Sequence, residues 1–250
     1  MLDLLTRPVP SRVAMVGLGP SANAFWLENS VFNAADEYDE VWAVNRAAVS
    51  FRHDLAWNMH DLRELVKKYP QEGPRLYRAE KPLVTLEHFP EFPTSVRYPI
   101  AEVLTFLKGY DMLNSTPAYM VAYAVMVGVK ELLLYGMDFH YENLERSEAG
   151  GQGMAYLLGF ASALGMNYKI PPSSSLLDAY RISAMQEHGV LRPIRPLYGY
   201  DESPTVKDPR ITPESKILRL VPGGLGMTAT QPRYRLGEAE QGDAAAGGNR

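Results

Sequence analysis

Val13-Ala-Met-Val-Gly-Leu-Gly-Pro-Ser21 decides how this chain reads: four apolar residues run into a glycine-rich turn, and Asn23, Phe25 and Trp26 follow at once. A short continuous apolar run closed by glycine is the pattern of a fully buried parallel strand. Pro20 suits a first helical position, so the turn predicts the junction of the first strand and first helix of a doubly wound α/β domain. Gly17 and Gly19 are expected to use backbone angles closed to other residues. The freed amides at the start of a helix can hold an anion, so a phosphate-bearing ligand is expected beside Gly17, Gly19, Pro20 and Ser21.

The turn departs from the dinucleotide fingerprint. Ala22 stands where the third glycine of G-x-G-x-x-G would fall, and the second strand reads Glu40-Val-Trp-Ala-Val-Asn45, ending in an amide where an acidic ribose ligand would be expected. A tight strand-to-helix turn with no ligand is the plain alternative. A third run, Asp54-Leu-Ala-Trp-Asn58, also ends in an amide, and Met59 to Lys68 follows with helical spacing through Leu62, Leu65 and Val66. Three strand ends thus deliver Gly19-Pro-Ser21, Asn45-Arg46 and Asn58-Met-His60 to the edge where open parallel sheets bind ligands.

Prolines, aromatics and charges break this rhythm between residues 70 and 99. Residues 81–86 read as a short strand and 87–98 as a loop or lid-like insertion, with His88, Arg97 and Tyr98 as candidate ligand contacts or simply a surface excursion. A helix is expected over 100–107. Leu113-Asn-Ser-Thr-Pro-Ala-Tyr-Met then opens a helix apolar on nearly all sides, with Ser115 or Thr116 as cap and Pro117 in the first turn. Asn114, Ser115 and Thr116 are short donors for a second anion site, or structural caps alone. Lys130-Glu-Leu-Leu-Leu-Tyr-Gly-Met-Asp-Phe-His-Tyr141 is a strand that ends in Gly136 and brings Asp138, Phe139, His140 and Tyr141 to the same edge. Asp138 can hold a metal or orient a partner. His140 can act as a general base, with His60 and Tyr141 as further catalytic candidates. The small residues over 148–165 predict a closely packed helix, followed by a strand at 166–170 and serines at 173–175 that are expected to cap a further helix. The fold class is α/β: a Rossmann-like, doubly wound, mostly parallel sheet with helices on both faces.

Composition limits the function. The chain has 250 residues, 46% of them apolar, and a net charge of −4, so it can bury a full core and shows no basic footprint for nucleic acid. Without cysteine it has neither disulfides nor thiolate metal sites. No apolar run suits a signal peptide or a membrane span, and a cytoplasmic protein is expected.

The order Gly-x-Gly-Pro-Ser, Asn45, Asn58, Asn114-Ser-Thr-x-x-Tyr-Met120 and Gly128-Val-Lys-Glu-Leu-Leu-Leu-Tyr-Gly-Met-Asp-Phe-His140 resembles the bacterial sialyltransferases that include the Campylobacter lipooligosaccharide enzymes. It is also similar to motility-associated-factor and pterin-pyrophosphokinase-like proteins and to uncharacterised bacteriophage proteins with this core. The resemblance covers about residues 12 to 180, and 115–139 is its most specific part. It implies a cytidine monophosphate sugar as donor substrate, with no cofactor required. Gly17, Gly19, Pro20 and Ser21 would lie near the donor phosphate, Asn45 and Asn58 at nucleotide or sugar, and Asn114, Ser115 and Thr116 at the donor or its carboxylate. Gly136, Asp138 and Phe139 would shape the nucleotide pocket. Leu113-Asn114 stands where that family has a basic residue, and no histidine lies between His140 and His188 to match its catalytic histidine.

The expected function is therefore a nucleotide-sugar-dependent glycosyltransferase acting on an unknown acceptor. The alternatives are a Mg²⁺-dependent pyrophosphoryl-transfer or nucleotide-processing enzyme using Asp138 and Asp61, and a non-catalytic phage accessory protein. Residues 1–185 are expected to form the nucleotide-binding domain. Residues 186–227 are expected to form an extended segment able to close the site or to mediate homo-oligomer contacts, and 228–250 a disordered tail.

Overall fold

The computed structural model describes residues 2–31, 37–109, 112–139, 144–171 and 173–177. The chain divides into Met1–Ile182 and Ser183–Arg250, and the second unit lies outside the described residues, as do the expectations for 186–227 and 228–250.

Seven strands form one wholly parallel sheet: β1 (Arg12–Val16), β2 (Glu40–Val44), β3 (Leu55–Trp57), β4 (Leu83–Thr85), β5 (Ser95–Arg97), β6 (Glu131–Tyr135) and β7 (Asn167–Lys169), in the order β5-β4-β3-β2-β1-β6-β7. The apolar runs read from the sequence become the central strands because parallel strands are covered on both faces. Their side chains alternate between two cores. Val13 and Met15 of β1, Trp42 and Val44 of β2 and Leu132 and Leu134 of β6 point to one face, while Ala14, Val16, Val41, Leu133 and Tyr135 point to the other.

The first face is covered by α5 (Ile100–Leu107), α6 (Thr116–Val127) and α7 (Leu144–Ala163), the second by α1 (Ala22–Ser30) and, under β3 and β4, α3 (Leu62–Lys68). Two short helices, α2 (Ala47–Ser50) and α4 (Gly73–Tyr77), complete the connections. At the centre of the first face Trp42, Trp57 and Tyr123 meet with ring centroids 5.1 to 5.7 Å apart. The Tyr123 hydroxyl donates to Leu4 O at 2.7 Å and that of Tyr98 to Tyr119 O at 2.9 Å.

Helix α6 forms as its sequence predicts. The Ser115 hydroxyl accepts from Ala118 N at 3.4 Å, Pro117 sits in the first turn, and Gly128 ends the helix in the left-handed region at φ 91°. The apolar sides of this helix are buried from Thr116 to Val125 with the exception of Tyr119, as expected of a central helix.

The segment expected to be a loop or lid is different. Ser95–Arg97 is the outer strand β5, and Tyr98, proposed from the sequence as a ligand contact, is a core residue. Ser95-Val-Arg97 has no continuous apolar run to mark it along the chain; pairing with β4 makes it a strand. Among the described residues no helix is long and apolar enough to cross a membrane.

Candidate functional site

The chain leaves β1 toward β2, β3, β4 and β5 on one side, then returns to place β6 on the other side of β1. This reversal is a topological switch point, the place at the carboxyl edge of an open parallel sheet where ligand crevices form. A cavity of about 340 Å³ occupies that place, within the size range of small-molecule sites. Its walls are the glycine turn from Gly17 to Pro20, Val44 at the end of β2 with Asn45 and Arg46 after it, Pro117 at the start of α6, and Gly136, Met137 and Phe139 after β6.

The glycines are explained by close approach of the two loops. A Cβ on Gly17 would lie 2.4 Å from Gly136 O, and one on Gly19 would lie 2.3 Å from Asp138 Oδ2. Among these glycines only Gly136 is left-handed, at φ 67°, so the expectation of special backbone angles at Gly17 and Gly19 is corrected to one of space. The loops are stitched by their own amides. Gly17 N donates to Tyr135 O at 2.8 Å, Gly19 N to Gly136 O at 3.0 Å and Ser21 N to Asp138 Oδ2 at 2.8 Å, while Gly136 N donates to the Ser21 hydroxyl at 2.8 Å. Ala22 N and Asn23 N turn back on Gly19 O and Pro20 O. The amides expected to be free for an anion are engaged within the fold.

Asp138 is 7% exposed and works as a tie. Besides Ser21 N, its carboxylate accepts from the Ser174 hydroxyl at 2.6 Å and Ser175 N at 3.1 Å, and its carbonyl accepts from the Ser175 hydroxyl at 2.9 Å. Ser174 and Ser175 thus close this network, and Ser174 Oγ also accepts from Leu176 N at 3.1 Å; the helix these serines were expected to cap lies outside the described residues. Asp61, the other carboxylate considered for a metal, accepts from Arg63 N and Glu64 N as the cap of α3. Among the described residues no group of three or more His, Cys, Asp or Glu side chains is arranged to hold a metal ion.

Asn45 stands at φ 51°, a conformation asparagine tolerates better than most residues and a local reason for the amide at this strand end. Its Oδ1 accepts from the Thr116 hydroxyl at 3.2 Å, and Met59 N approaches the same hydroxyl at 3.4 Å. The ends of β2 and β3 and the start of α6 are thereby joined behind the cavity. Asn58 is 5% exposed, and its Oδ1 accepts from His60 N at 3.1 Å. Phe139 is also left-handed, at φ 48°, uncommon for a bulky residue. Its ring lies where a Cβ on Gly150 of α7 would meet it at 2.4 Å, and Asn114 Nδ2 donates to Ala149 O of the same helix at 2.6 Å.

Of the residues singled out from the sequence, the cavity brings together Gly17, Gly19, Pro20, Asn45, Gly136 and Phe139. Ser21, Thr116 and Asp138 stand behind it in the networks described, Ser115 caps α6, and Asn58, His60 and Asn114 are not in its walls. His140 and Tyr141 lie outside the described residues. Leu18, Val44, Pro117 and Met137 are wall residues given no site role from the sequence; Arg46, which the order of strand ends brings to this edge beside Asn45, is in the wall as well.

No protein-family model matches this chain, and no curated protein matches it. Solved structures resemble it in fold. The sialyltransferase CstII from Campylobacter jejuni in complex with the substrate analogue CMP-3FNeuAc is 15% identical with a TM-score of 0.43, over 67% of this chain and 83% of that one. The same enzyme in complex with cytidine-5'-monophosphate is 15% identical with a TM-score of 0.42, over 67% and 82%. An apo α-2,3-sialyltransferase from Campylobacter jejuni is 16% identical with a TM-score of 0.42, over 71% and 79%. At these identities the likeness extends to the α/β fold alone.

Proposed function

We propose that this protein is a nucleotide-sugar-dependent glycosyltransferase of sialyltransferase-like type, with a cytidine monophosphate sugar as donor. The observation that carries the reading is the cavity at the switch point, whose walls come from the same segments that resemble the sialyltransferases in sequence: the glycine turn, Asn45, the start of α6 and the Gly136-Met-Asp-Phe139 loop. The donor lies against these loops with its phosphate toward the β1 and β2 ends. An acceptor hydroxyl forms a bond to the anomeric carbon while the bond from that carbon to the phosphate oxygen breaks. The phosphate keeps the electron pair, and the acceptor proton passes to a base, for which His60, His140 and Tyr141 are the candidates. Donor binding without a metal is supported by the engagement of the Asp138 and Asp61 carboxylates in hydrogen bonds of the fold.

A thermal-shift panel of cytidine, uridine, guanosine and adenosine nucleotides and their sugars, with and without chelator, tests this. A ligand at a hundred times its Kd stabilises the native state by about 2.7 kcal/mol. A rise with cytidine monophosphate or its sugar that survives chelation is expected. Loss of the rise on chelation favours the Mg²⁺-dependent alternative, and no rise with any nucleotide overturns both. Binding without sugar transfer to any acceptor leaves a non-catalytic binding protein.

A further inference from the structure

A phosphate in a partly apolar cavity needs charge or hydrogen-bond donors, and the amides of the glycine turn are largely consumed by the β6 loop. Among the described residues one charged side chain lines this cavity, that of Arg46. Its Nε lies 3.0 Å from Glu72 Oε1. The Glu72 side chain is 8% exposed against 63% for Arg46, so a buried carboxylate grips the inner edge of a guanidinium whose bulk is open to solvent and cavity. Glu72 Oε2 also faces Arg75 Nη1 at 3.9 Å. Two guanidinium groups against one carboxylate leave a net positive charge. An ion pair made at the Nε edge leaves the two terminal nitrogens of the guanidinium for a second partner, and such a fork suits phosphate.

We propose that Arg46 is the anion-binding residue of this cavity and Glu72 its positioning partner, so that a ligand's phosphate pairs with the guanidinium in place of the glycine-turn amides. The inference rests on the nucleotide reading above and assigns the residue that recognises the phosphate. Arg46 touches the ligand; Glu72 acts through Arg46 by holding its Nε edge.

Calorimetric titration of the full chain with cytidine monophosphate, cytidine and inorganic pyrophosphate tests it. Arg46→Gln is expected to weaken cytidine monophosphate at least about tenfold while leaving cytidine unchanged, as loss of a charge-assisted pair requires. Glu72→Gln is expected to weaken the monophosphate several-fold, again without moving cytidine; a merely structural role would lower both affinities and the thermal midpoint together. Because Arg46→Gln strips a buried carboxylate of a partner, the double variant Arg46→Gln/Glu72→Gln is measured beside it. It is expected to recover the midpoint and to leave the monophosphate affinity low. Monophosphate binding by Arg46→Gln within about twofold of the unaltered protein overturns the inference and leaves the nucleotide reading standing. Arg46-dependent pyrophosphate binding with no nucleotide binding does the reverse. If the unaltered chain binds none of the three, both fall.

Discussion

Replacing Asp138 by asparagine changes one oxygen to an amide group at the point where the glycine turn, the end of β6 and residues 173–177 are joined. The carboxylate accepts from two backbone amides, Ser21 N and Ser175 N, on different oxygens, and from the Ser174 hydroxyl on the oxygen it shares with Ser175 N. Asparagine offers one acceptor oxygen. If that oxygen faces Ser174 and Ser175, the new NH₂ opposes Ser21 N–H; if the side chain flips, it opposes Ser175 N–H while the Ser174 hydroxyl can rotate to accept. One backbone amide therefore loses its acceptor in either orientation. Hydrogen bonds to a charged group are worth about 1.5–3 kcal/mol, and an unmet buried donor costs a comparable amount. The expected destabilisation is about 1.5–3 kcal/mol, a fall in Tm of about 3–12 °C for a domain of this size. Urea unfolding followed by tryptophan fluorescence measures it. Ser174→Ala in a double-mutant cycle should show that the losses at Asp138 and Ser174 are not additive. A stability change below about 0.5 kcal/mol, the range of ordinary surface substitutions, refutes the reasoning. If ligand affinity collapsed at the same time, Asp138 would be a ligand contact and not a tie.

Gly150→Ala places a Cβ against the Phe139 ring, and overpacking of this kind costs about 1–3 kcal/mol; Gly159→Ala, in the same helix with open space around it, is expected to gain about 0.5–1 kcal/mol, and equal urea midpoints for the two would refute the packing argument. Asn45→Ala should be less stable than Asn45→Gly by about 1 kcal/mol, since both lose the bond to Thr116 and only alanine resists the left-handed backbone. Burial pushes the Tyr123 hydroxyl up to about 12 and raises those of Tyr98 and Tyr135 as well, the last helped by its hydrogen bond to Glu28. The folded state therefore holds these protons more tightly than the unfolded chain, so stability is complete below about pH 10 and is lost as pH rises through the folded values; a urea midpoint unchanged to about pH 12 would contradict this. At acid pH the sign reverses for Glu131: burial opposes its charge, but hydrogen bonds from Lys169 and Arg12 outweigh that and hold its carboxyl below the usual range. Its contribution is present above the ordinary glutamate value and lost below the folded one, so Glu131→Gln should flatten the acid limb of the urea midpoint against pH.

What could be read from the sequence is what neighbouring residues decide among themselves. The buried strands β1, β2 and β6 announce themselves as apolar runs, and the ends of α6 follow from Ser115, Pro117 and Gly128, because strand burial and helix capping act within a few residues. The order of strand ends is enough to predict which loops share the carboxyl edge of the sheet, since a parallel sheet places all of them on one side. The tertiary structure decided the partners. Ser174 reaches Asp138 and Arg46 reaches Glu72 across long stretches of chain that no local pattern connects. The glycine turn shows the difference most clearly. Its residues read as an open anion cradle, and only the packing of the β6 loop against it reveals that the Gly17, Gly19 and Ser21 amides already have acceptors and that the charge at the cavity belongs to Arg46, because a hydrogen-bond donor can be assigned only when everything within reach of it is known.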